Sequence, residues 1–541
     1  MDTKIKQILI NNEELETRVA LLINGKLEEY HVERRNDKVA ELGSIYLGRV
    51  SKNEKSIQAS FIDIGTEKNS FLQFKNYLKG QNKSAEEIEV EEETTKTKLG
   101  FGAKIRSLLT IEKKTLLKRI EDKKKKIEKT DQIPQIFNAG SELLVQVTKG
   151  PIGTKGAQVT TQISIPGKFL VLVPYSKAIC LSKKITSKTE RKRLKKILTK
   201  LDIPKGFGVI CRTAGEGRKE AYFKRDLDIL LDKWHSIEEQ SIAKNVPLKV
   251  YQEPGVIEKV ARDLLTDDID SIIADNKEDF DYLQDLAGKF VGNEMVNKVK
   301  FYDRAKPIFD HYYIRSQINQ ITNRIVRLKS GGYICLDETE ALIAIDVNSG
   351  SSRKFKNFNE TILNTNLEAA AEVARQLRLR NIGGIVVVDF IDMSRAKDRE
   401  AVLNMIKKCV KDDRARVRFA AISKFGLMEM TRQREHESLK DLVSEACPYC
   451  SGRGNVKSAI SMSVEIQRML QGILKRNKDQ KFEAKVIMHP TILERLKNKD
   501  AELFTKMEKL YGGNLSFRGD NDIHLEEFKV IDVNKNEELK Y

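Results

Sequence analysis

SGGYICLDETEALIAIDVNSG (residues 330–350) and, after a helical stretch, GGIVVVDFIDM (residues 383–393) decide how this chain is read. Each brings an apolar run to an aspartate: ALIAID ends on Asp346 and IVVVDF carries Asp389. Between them, NLEAAAEVARQLRLR (366–380) sets Leu367, Ala370, Ala371, Ala374 and Leu377 at three- and four-residue spacing, which predicts a helix with one face on a sheet. Helix-patterned DREAVLNMIKKCVKDD (398–413) and strand-patterned VRFAAIS (417–423) follow, and this alternation predicts an α/β domain beyond about 322. In an open α/β sheet, ligands gather at strand C-termini, and a βαβ crossover brings two such ends together. Two carboxylates placed there repel each other unless a cation intervenes or one takes a proton. A hard divalent ion such as magnesium resolves the repulsion most simply, and Asn348 can add an oxygen ligand or position a phosphate. The plainer alternative is that both aspartates only cap helices or turns. None of the six histidines stands in a nucleophile-elbow or triad context, which argues against a Ser/His/Asp hydrolase.

Outward from this pair, the chain of 541 residues is too long for one core, and two to four domains are expected. Its net charge of +18 favours polyanionic partners without saying which. The N-terminus has no apolar signal region, and no stretch approaches the roughly 20 apolar residues that span a bilayer, so a soluble, cytoplasmic protein without a membrane span is expected. Cys180, Cys211, Cys335 and Cys409 stand apart in apolar or helical contexts, whereas Cys447 and Cys450 form a close pair in CPYCSGRG (447–454). That usage suits a reducing compartment. Residues 43–74 alternate apolar and polar positions between turn residues and predict short strands. A Lys- and Glu-rich stretch near 76–137 reads as a solvated insertion. Strand patterns resume at ELLVQVTK (142–149), GAQVTTQISI (156–165), FLVLVP (169–174) and FGVICR (207–212), with a basic helix at TERKRLKKILTKL (189–201).

PIFDHYYIRSQINQ (307–320), the 330–350 block, residues 364–393, DDRARVRF (412–419) and SKFGLMEMTRQR (423–434) together resemble the catalytic region of the ribonuclease E/G family. The resemblance implies a magnesium-dependent endoribonuclease that hydrolyses single-stranded RNA and leaves 5′-phosphate ends, in rRNA and tRNA processing and mRNA turnover. Position by position, it implies metal binding by Asp346 and Asp389 with Asn348 in support, while Asp392 is read as structural. Phe61 and Phe71 fall where the family has an RNA-contacting aromatic pair, on a barrel of OB type. GPIGTKGAQVTTQISIPGKFLVLVP (150–174) and ICRTAGEG (210–217) resemble a pocket for a 5′-monophosphate, with Arg212 and Thr213 at the phosphate and Gly167 and Val171 in the wall. Lys155 and Arg416 match further RNA-contacting positions.

The resemblance also implies a multidomain α/β and α+β architecture. A ribonuclease-H-like structural domain (1–38 with 258–321) is interrupted by an OB-fold RNA-binding domain (39–161) and a 5′-sensor domain (162–257). A deoxyribonuclease-like catalytic domain (322–443), a zinc link (444–457) and a small C-terminal α/β domain (458–541) follow. The sequence ends at 541 without the long scaffold tail that marks ribonuclease E, so ribonuclease G, or a catalytic core without that tail, is expected. CPYC alone supplies two thiolates where a structural zinc normally takes four protein ligands, so it is half a site. A redox CxxC is the competing reading, but a thioredoxin-like motif opens a helix after a strand and this one runs into SGRG. In the family the matching cysteines join two protomers through one zinc, which implies a homodimer and, beyond it, a tetramer. A DNA nuclease and a non-catalytic RNA-binding protein remain the other function classes.

Overall fold

The computed structural model of the chain describes residues 5–34, 42–77, 85–87, 132–151, 155–242, 245–351, 358–411, 413–433, 438–476 and 483–539. The charged stretch expected as an insertion near 76–137 lies mostly outside them. Two compact units divide the chain, Met1–Leu442 and Val443–Tyr541.

The described residues of the first unit form four sheets. Strands Lys6–Asn12, Glu16–Ile23 and Lys26–Arg34 join Ser271–Ala274 and Val299–Phe301, so distant segments share one sheet. Ile45–Glu54, Ala59–Asp63, Ser70–Gln73, Gln158–Thr160 and Glu142–Lys149 run in sequence of pairing, and the first also pairs with the last. This closure makes a small barrel around Ile45, Leu47, Ile62, Leu72, Val145 and Val159. The strand Leu248–Tyr251 adds to its Ile45–Glu54 edge. A third sheet orders Ile165–Pro166, Leu170–Pro174, Phe207–Cys211, Ile179–Ser182 and Ala85–Glu87.

The fourth sheet carries Asp346 and Asp389. Its order is Ile325–Arg327, Tyr333–Glu338, Leu342–Asn348, Gly384–Asp389, Leu427–Arg432 and Val417–Phe419. Only Leu342–Asn348 and Gly384–Asp389 run parallel, and the long helix Phe358–Leu379 lies between them in the chain. The predicted α/β alternation thus covers one crossover inside a mixed sheet, because the flanking segments return as antiparallel neighbours. Along both central strands, buried and exposed residues alternate. Ile343, Ile345, Val386 and Val388 pack with Ala370, Val373, Ala374, Leu377, Val402 and Ile406 of the helices Phe358–Leu379 and Ala396–Cys409. Ala344, Asp346, Ile385 and Asp389 face outward and are exposed. On the long helix, the packed stripe centres on Ile362, Asn366, Ala370, Val373 and Leu377, with the expected Leu367 and Ala371 only half-buried at its margin.

The long helix also ties this sheet to the N-terminal one. Arg378 bonds Glu28 at 2.8 Å, Arg375 donates to the Leu27 carbonyl at 2.5 Å, and Lys26 meets Glu372 at 3.2 Å. In the second unit, strands Asn514–Gly519, Glu483–Met488, Phe528–Asp532 and Glu537–Glu538 form a mixed sheet. Helices Ala459–Arg476, Pro490–Asn498 and Ala501–Tyr511 contribute Met462, Ile466, Leu470, Ile492 and Phe504 to its core. No helix among the described residues is long and apolar enough to cross a membrane.

One buried ion pair fixes the end of the fourth sheet. Arg432 bonds Asp413 through Nε at 2.9 Å and Nη2 at 3.0 Å, and its Nη1 donates to the Ile382 carbonyl at 2.7 Å. Both side chains are almost fully buried. Replacing Asp413 with alanine strands the guanidinium, so Asp413→Ala is expected to lose about 3–5 kcal/mol of unfolding free energy in urea titration.

Candidate active site

Asp346 and Asp389 are direct register partners on adjacent parallel strands. Such strands lie about 4.8 Å apart, and partner side chains emerge on the same face. Both aspartates stand on the exposed face. Partial burial, Asp346 and Asp392 together push the Asp389 carboxyl above its ordinary range. That is the expected cost of gathering like charges, and a divalent cation would relieve it. Asn348 donates from Nδ2 to Asp346 Oδ2 at 2.7 Å, which leaves its carbonyl oxygen and one N–H available. Among the described residues, no three His, Cys, Asp or Glu side chains gather as a ready-made metal cage. Two carboxylates and an amide suit an ion that retains most of its own water, as magnesium does.

Two neighbours of this pair escaped sequence reasoning. Asn366, fully buried in the long helix, donates to the Ile391 carbonyl at 2.8 Å and accepts the Ile391 N–H at 3.1 Å. This clamp fixes the segment between Asp389 and Asp392. A buried asparagine in an otherwise Ala- and Leu-rich face was the available signal. Arg324 forks onto Asp337 at 2.5 and 2.7 Å, within electrostatic reach of Asp346. Only pairing, not sequence spacing, brings it there.

Arg212 follows the strand Phe207–Cys211 and is half-buried. Its Nη1 donates to the Gly167 carbonyl at 2.5 Å and its Nη2 to Asp263 at 2.6 Å. One predicted wall residue is therefore an immediate neighbour. Thr213 is exposed beside it, and Val171 pairs with Ile210 across the sheet. Gly167 has to be glycine, since a Cβ there would lie 2.7 Å from the Asp226 carboxylate. Asp226 is buried and accepts the backbone N–H groups of Lys168, Phe169 and Leu170, which shapes the turn. Arg212 N–H in turn bonds the Phe169 carbonyl at 2.8 Å.

Further cations converge here without having been singled out. Lys168 is buried and donates to the Leu265 carbonyl at 2.6 Å, and desolvation pulls its ammonium down to about 8 against the opposing pull of Asp263. Arg218 lies over Phe169 and Tyr222 and pairs with Asp267 at 2.9 Å. Burial would raise the Asp263 carboxyl, but Arg212 and Arg262 override it and hold it at about 2. Lys184 donates to the carbonyls of Asp413 and Arg414 at 3.0 and 2.8 Å, fastening the segment that leads to exposed Arg416.

On the barrel, Phe61 and Phe71 are register partners with ring centroids 6.1 Å apart, edge to face. Both rings are half-buried, while their strand neighbours Ile62 and Leu72 are fully buried on the inner side. Lys155 is exposed close in sequence to Gln158, the parallel partner of Phe71. The structure thus brings Phe61 and Phe71 together, and Arg212 together with Thr213 and Gly167.

Cys447 is exposed and Cys450 half-buried in the second unit. Gly454 N–H points at Cys450 Sγ at 3.3 Å, and Gly452 N–H bonds the Cys447 carbonyl. Backbone N–H groups of Cys450 and Tyr449, with the Cys450 thiol, lower the Cys447 pKa. Such a turn favours the Cys447 thiolate. The other four cysteines are buried or half-buried, and burial pushes the Cys211 thiol up to about 12.

Comparison with known proteins agrees with the order of these features. A model described as the ribonuclease E/G family matches residues 164–435, and one described as the RNase E/G thioredoxin-like domain matches 446–534. Ribonuclease G of Escherichia coli (strain K12) is 33% identical over 525 residues, covering 97% of this chain and 99% of its own length. Ribonuclease E of Haemophilus influenzae is 36% identical over 538 residues, 99% of this chain and 53% of its own. Ribonuclease E of Buchnera aphidicola subsp. Schizaphis graminum is 34% identical over 538 residues, 99% and 51% respectively. The chain therefore spans about half the length of these ribonucleases E. With the first unit's sheet of paired aspartates inside one match and its cysteine turn opening the other, the chain belongs to the ribonuclease E/G family.

Proposed function

We propose that this chain is a magnesium-dependent endoribonuclease that cuts single-stranded RNA, works best on a 5′-monophosphorylated end, and serves rRNA and tRNA processing and mRNA turnover in the cytoplasm. The observation that carries the reading is the register pairing of Asp346 and Asp389 on an open sheet face, with Asn348 hydrogen-bonded to one of them. On this reading Asp346 and Asp389 hold the ion and Asn348 steadies its hydrated edge or a phosphate oxygen. Bound there, magnesium supplies a water of lowered pKa and neutralises charge developing on the phosphate. The chain's own groups orient the phosphodiester for attack that leaves the 5′-phosphate on the downstream fragment.

The remaining surfaces take roles from the same reading. The sheet that pairs Lys6–Asn12 with Ser271–Ala274 supports a ribonuclease-H-like part split by insertions, and the barrel supports the OB type. Phe61 and Phe71 would stack unpaired bases, a contact worth about 1–3 kcal/mol per base. Lys155 and Arg416 would hold backbone phosphates. Arg212 and Thr213 would receive the terminal phosphate against the wall of Gly167 and Val171. Because Arg212 already uses one hydrogen on each terminal nitrogen, the phosphate would meet its remaining N–H groups and the Thr213 hydroxyl. The deoxyribonuclease-like label for the catalytic sheet rests on the family. CPYC lies in a turn well before the helix Ala459–Arg476, so its thiols lack the helix N-terminus that a redox pair uses. A zinc shared with a second copy, giving a homodimer that can pair into a tetramer, fits its two thiolates.

Asp346→Asn and Asp389→Asn should each slow cleavage by roughly 10²–10³-fold, the scale of losing one electrostatic group at a reacting centre, while RNA binding holds. Near-wild-type turnover of either folded variant at limiting magnesium would remove that residue from the assignment. Arg212→Ala should shrink the rate advantage of 5′-monophosphorylated over 5′-hydroxyl RNA by about 10- to 100-fold, as for one lost charge-assisted hydrogen bond. Equal loss on both substrates and on circular RNA would instead make Arg212 a general contact. Metal analysis should find about half a zinc per chain, since one tetrathiolate ion serves two copies. The Cys447→Ser/Cys450→Ser double variant should lose that zinc and sediment as a smaller species, and a zinc-free wild-type dimer contradicts the shared site.

A further inference from the structure

Phe425 is 80% exposed, on a turn that is fastened to the strand end carrying Asp389. The turn is rigid. Ser423 Oγ accepts the N–H groups of Phe425 and Leu427, both at 3.2 Å, while Gly426 N–H bonds the Ser423 carbonyl at 3.2 Å. The Phe390 N–H bonds the Gly426 carbonyl at 3.2 Å, and Leu427 is the register partner of Asp389. Gly426 has φ +78°, and a Cβ there would lie 2.5 Å from the Phe390 carbonyl oxygen and 3.7 Å from Asp392 Oδ1. Glycine therefore lets the turn press against the backbone between the two acidic positions. The turn that carries the phenyl ring is thereby fastened, through Gly426 and Leu427, to the strand end of Asp389.

A ring kept in water forgoes the burial that normally stabilises phenylalanine. Here its immediate neighbours are Lys424, exposed and cationic, and Leu427, 39% exposed. An exposed apolar ring next in sequence to a cation, on a turn bonded to the strand end of an acidic pair, suits one nucleotide: the base would meet the ring, and the adjoining phosphate would meet Lys424. We propose that Phe425 is a stacking platform for the unpaired base next to the scissile phosphate. This deepens the endoribonuclease reading and rests on it. The proposal gives the single-strand preference a local cause, because a base stacked within a duplex has no free face to offer. Phe425 lies on a turn of the sheet that carries Asp389, a different sheet from the barrel of Phe61 and Phe71, and on this proposal it takes a base at the cut itself.

The test uses the full chain and a 5′-monophosphorylated RNA with one cut site, together with copies carrying a single abasic nucleotide stepped across that site. Phe425→Ala should lower kcat/KM by about 5- to 100-fold, the range expected for one lost aromatic stack. Phe425→Trp should retain activity. For wild type, one abasic position flanking the cut should cause the same loss, and that position should cost Phe425→Ala nothing further, since the two changes remove one contact. Additive losses, or wild-type rates for Phe425→Ala, overturn the proposal. So does a shift of Phe425→Ala to smaller species in sedimentation with equal loss on every RNA, which makes the ring a contact between copies of the chain. If wild type cleaves no RNA, the endoribonuclease reading falls separately. Equilibrium binding of intact and abasic RNAs to wild type and Phe425→Ala then decides the stacking, and equal affinities refute it.

Discussion

Two carboxylates held side by side by strand register form the constraint on which the first unit turns. Asp346 and Asp389 cannot separate without breaking the parallel pairing of Leu342–Asn348 with Gly384–Asp389. That pairing is itself held by the helix between them, whose Ala370, Val373, Ala374 and Leu377 pack on the opposite face. The hydrophobic face stabilises an arrangement that the polar face opposes. Partial burial, with repulsion from Asp346 and Asp392, raises the Asp389 pKa and favours either a proton or a cation.

The open face follows from the same geometry. The helices Phe358–Leu379 and Ala396–Cys409 serve one side of the sheet, so outward residues alternate with buried ones along each central strand. An extended polyanion needs such an uncovered surface, and a net charge of +18 supplies the long-range attraction to it. Asn366 and Gly426 then hold the one segment between Asp389 and Asp392, Asn366 at Ile391 from the helix and Gly426 at Phe390 from the turn. Rigidity around the acidic pair is therefore built from neutral side chains and backbone bonds, which add no charge to an already strained field.

The paired aspartates and their asparagine were legible because strand-end acids after apolar runs carry a positional signal. The strands of the barrel were legible from alternation in residues 43–74 and 142–149, whereas the barrel itself was implied only by the family resemblance. The alternation of buried and exposed positions along ALIAID and IVVVDF was not legible, since short β-branched runs look alike whether one or both faces are covered. Asp226, Asp263 and Lys168 were invisible for a different reason. Each acts through long-range partners: Asp226 through the backbone of 168–170, and Lys168 through carbonyls at the end of the helix Val256–Leu264. A single buried charge in a basic sequence carries no mark of the partner that neutralises it.

Those buried charges bear on how a terminal phosphate could be sensed. Arg212 is already satisfied by Asp263 and by the Gly167 carbonyl, and Asp263 is shared with Arg262 and within the field of Arg414. A phosphate arriving at Arg212 therefore enters a field that is nearly balanced, and its advantage is a difference between two paired states rather than the full attraction of a bare arginine. Lys168 makes that balance sensitive, since its charge is opposed by burial and sustained by Asp263. The Lys184 bonds to the Asp413 and Arg414 carbonyls place the next step on the backbone. Asp413 is the buried partner of Arg432, whose strand Leu427–Arg432 pairs directly with the strand of Asp389. The proposed phosphate pocket and the acidic pair are thus linked in two stages, by the field of Arg414 on Asp263 and then by the hydrogen bonds of Lys184 and Arg432, through exposed groups as well as buried ones.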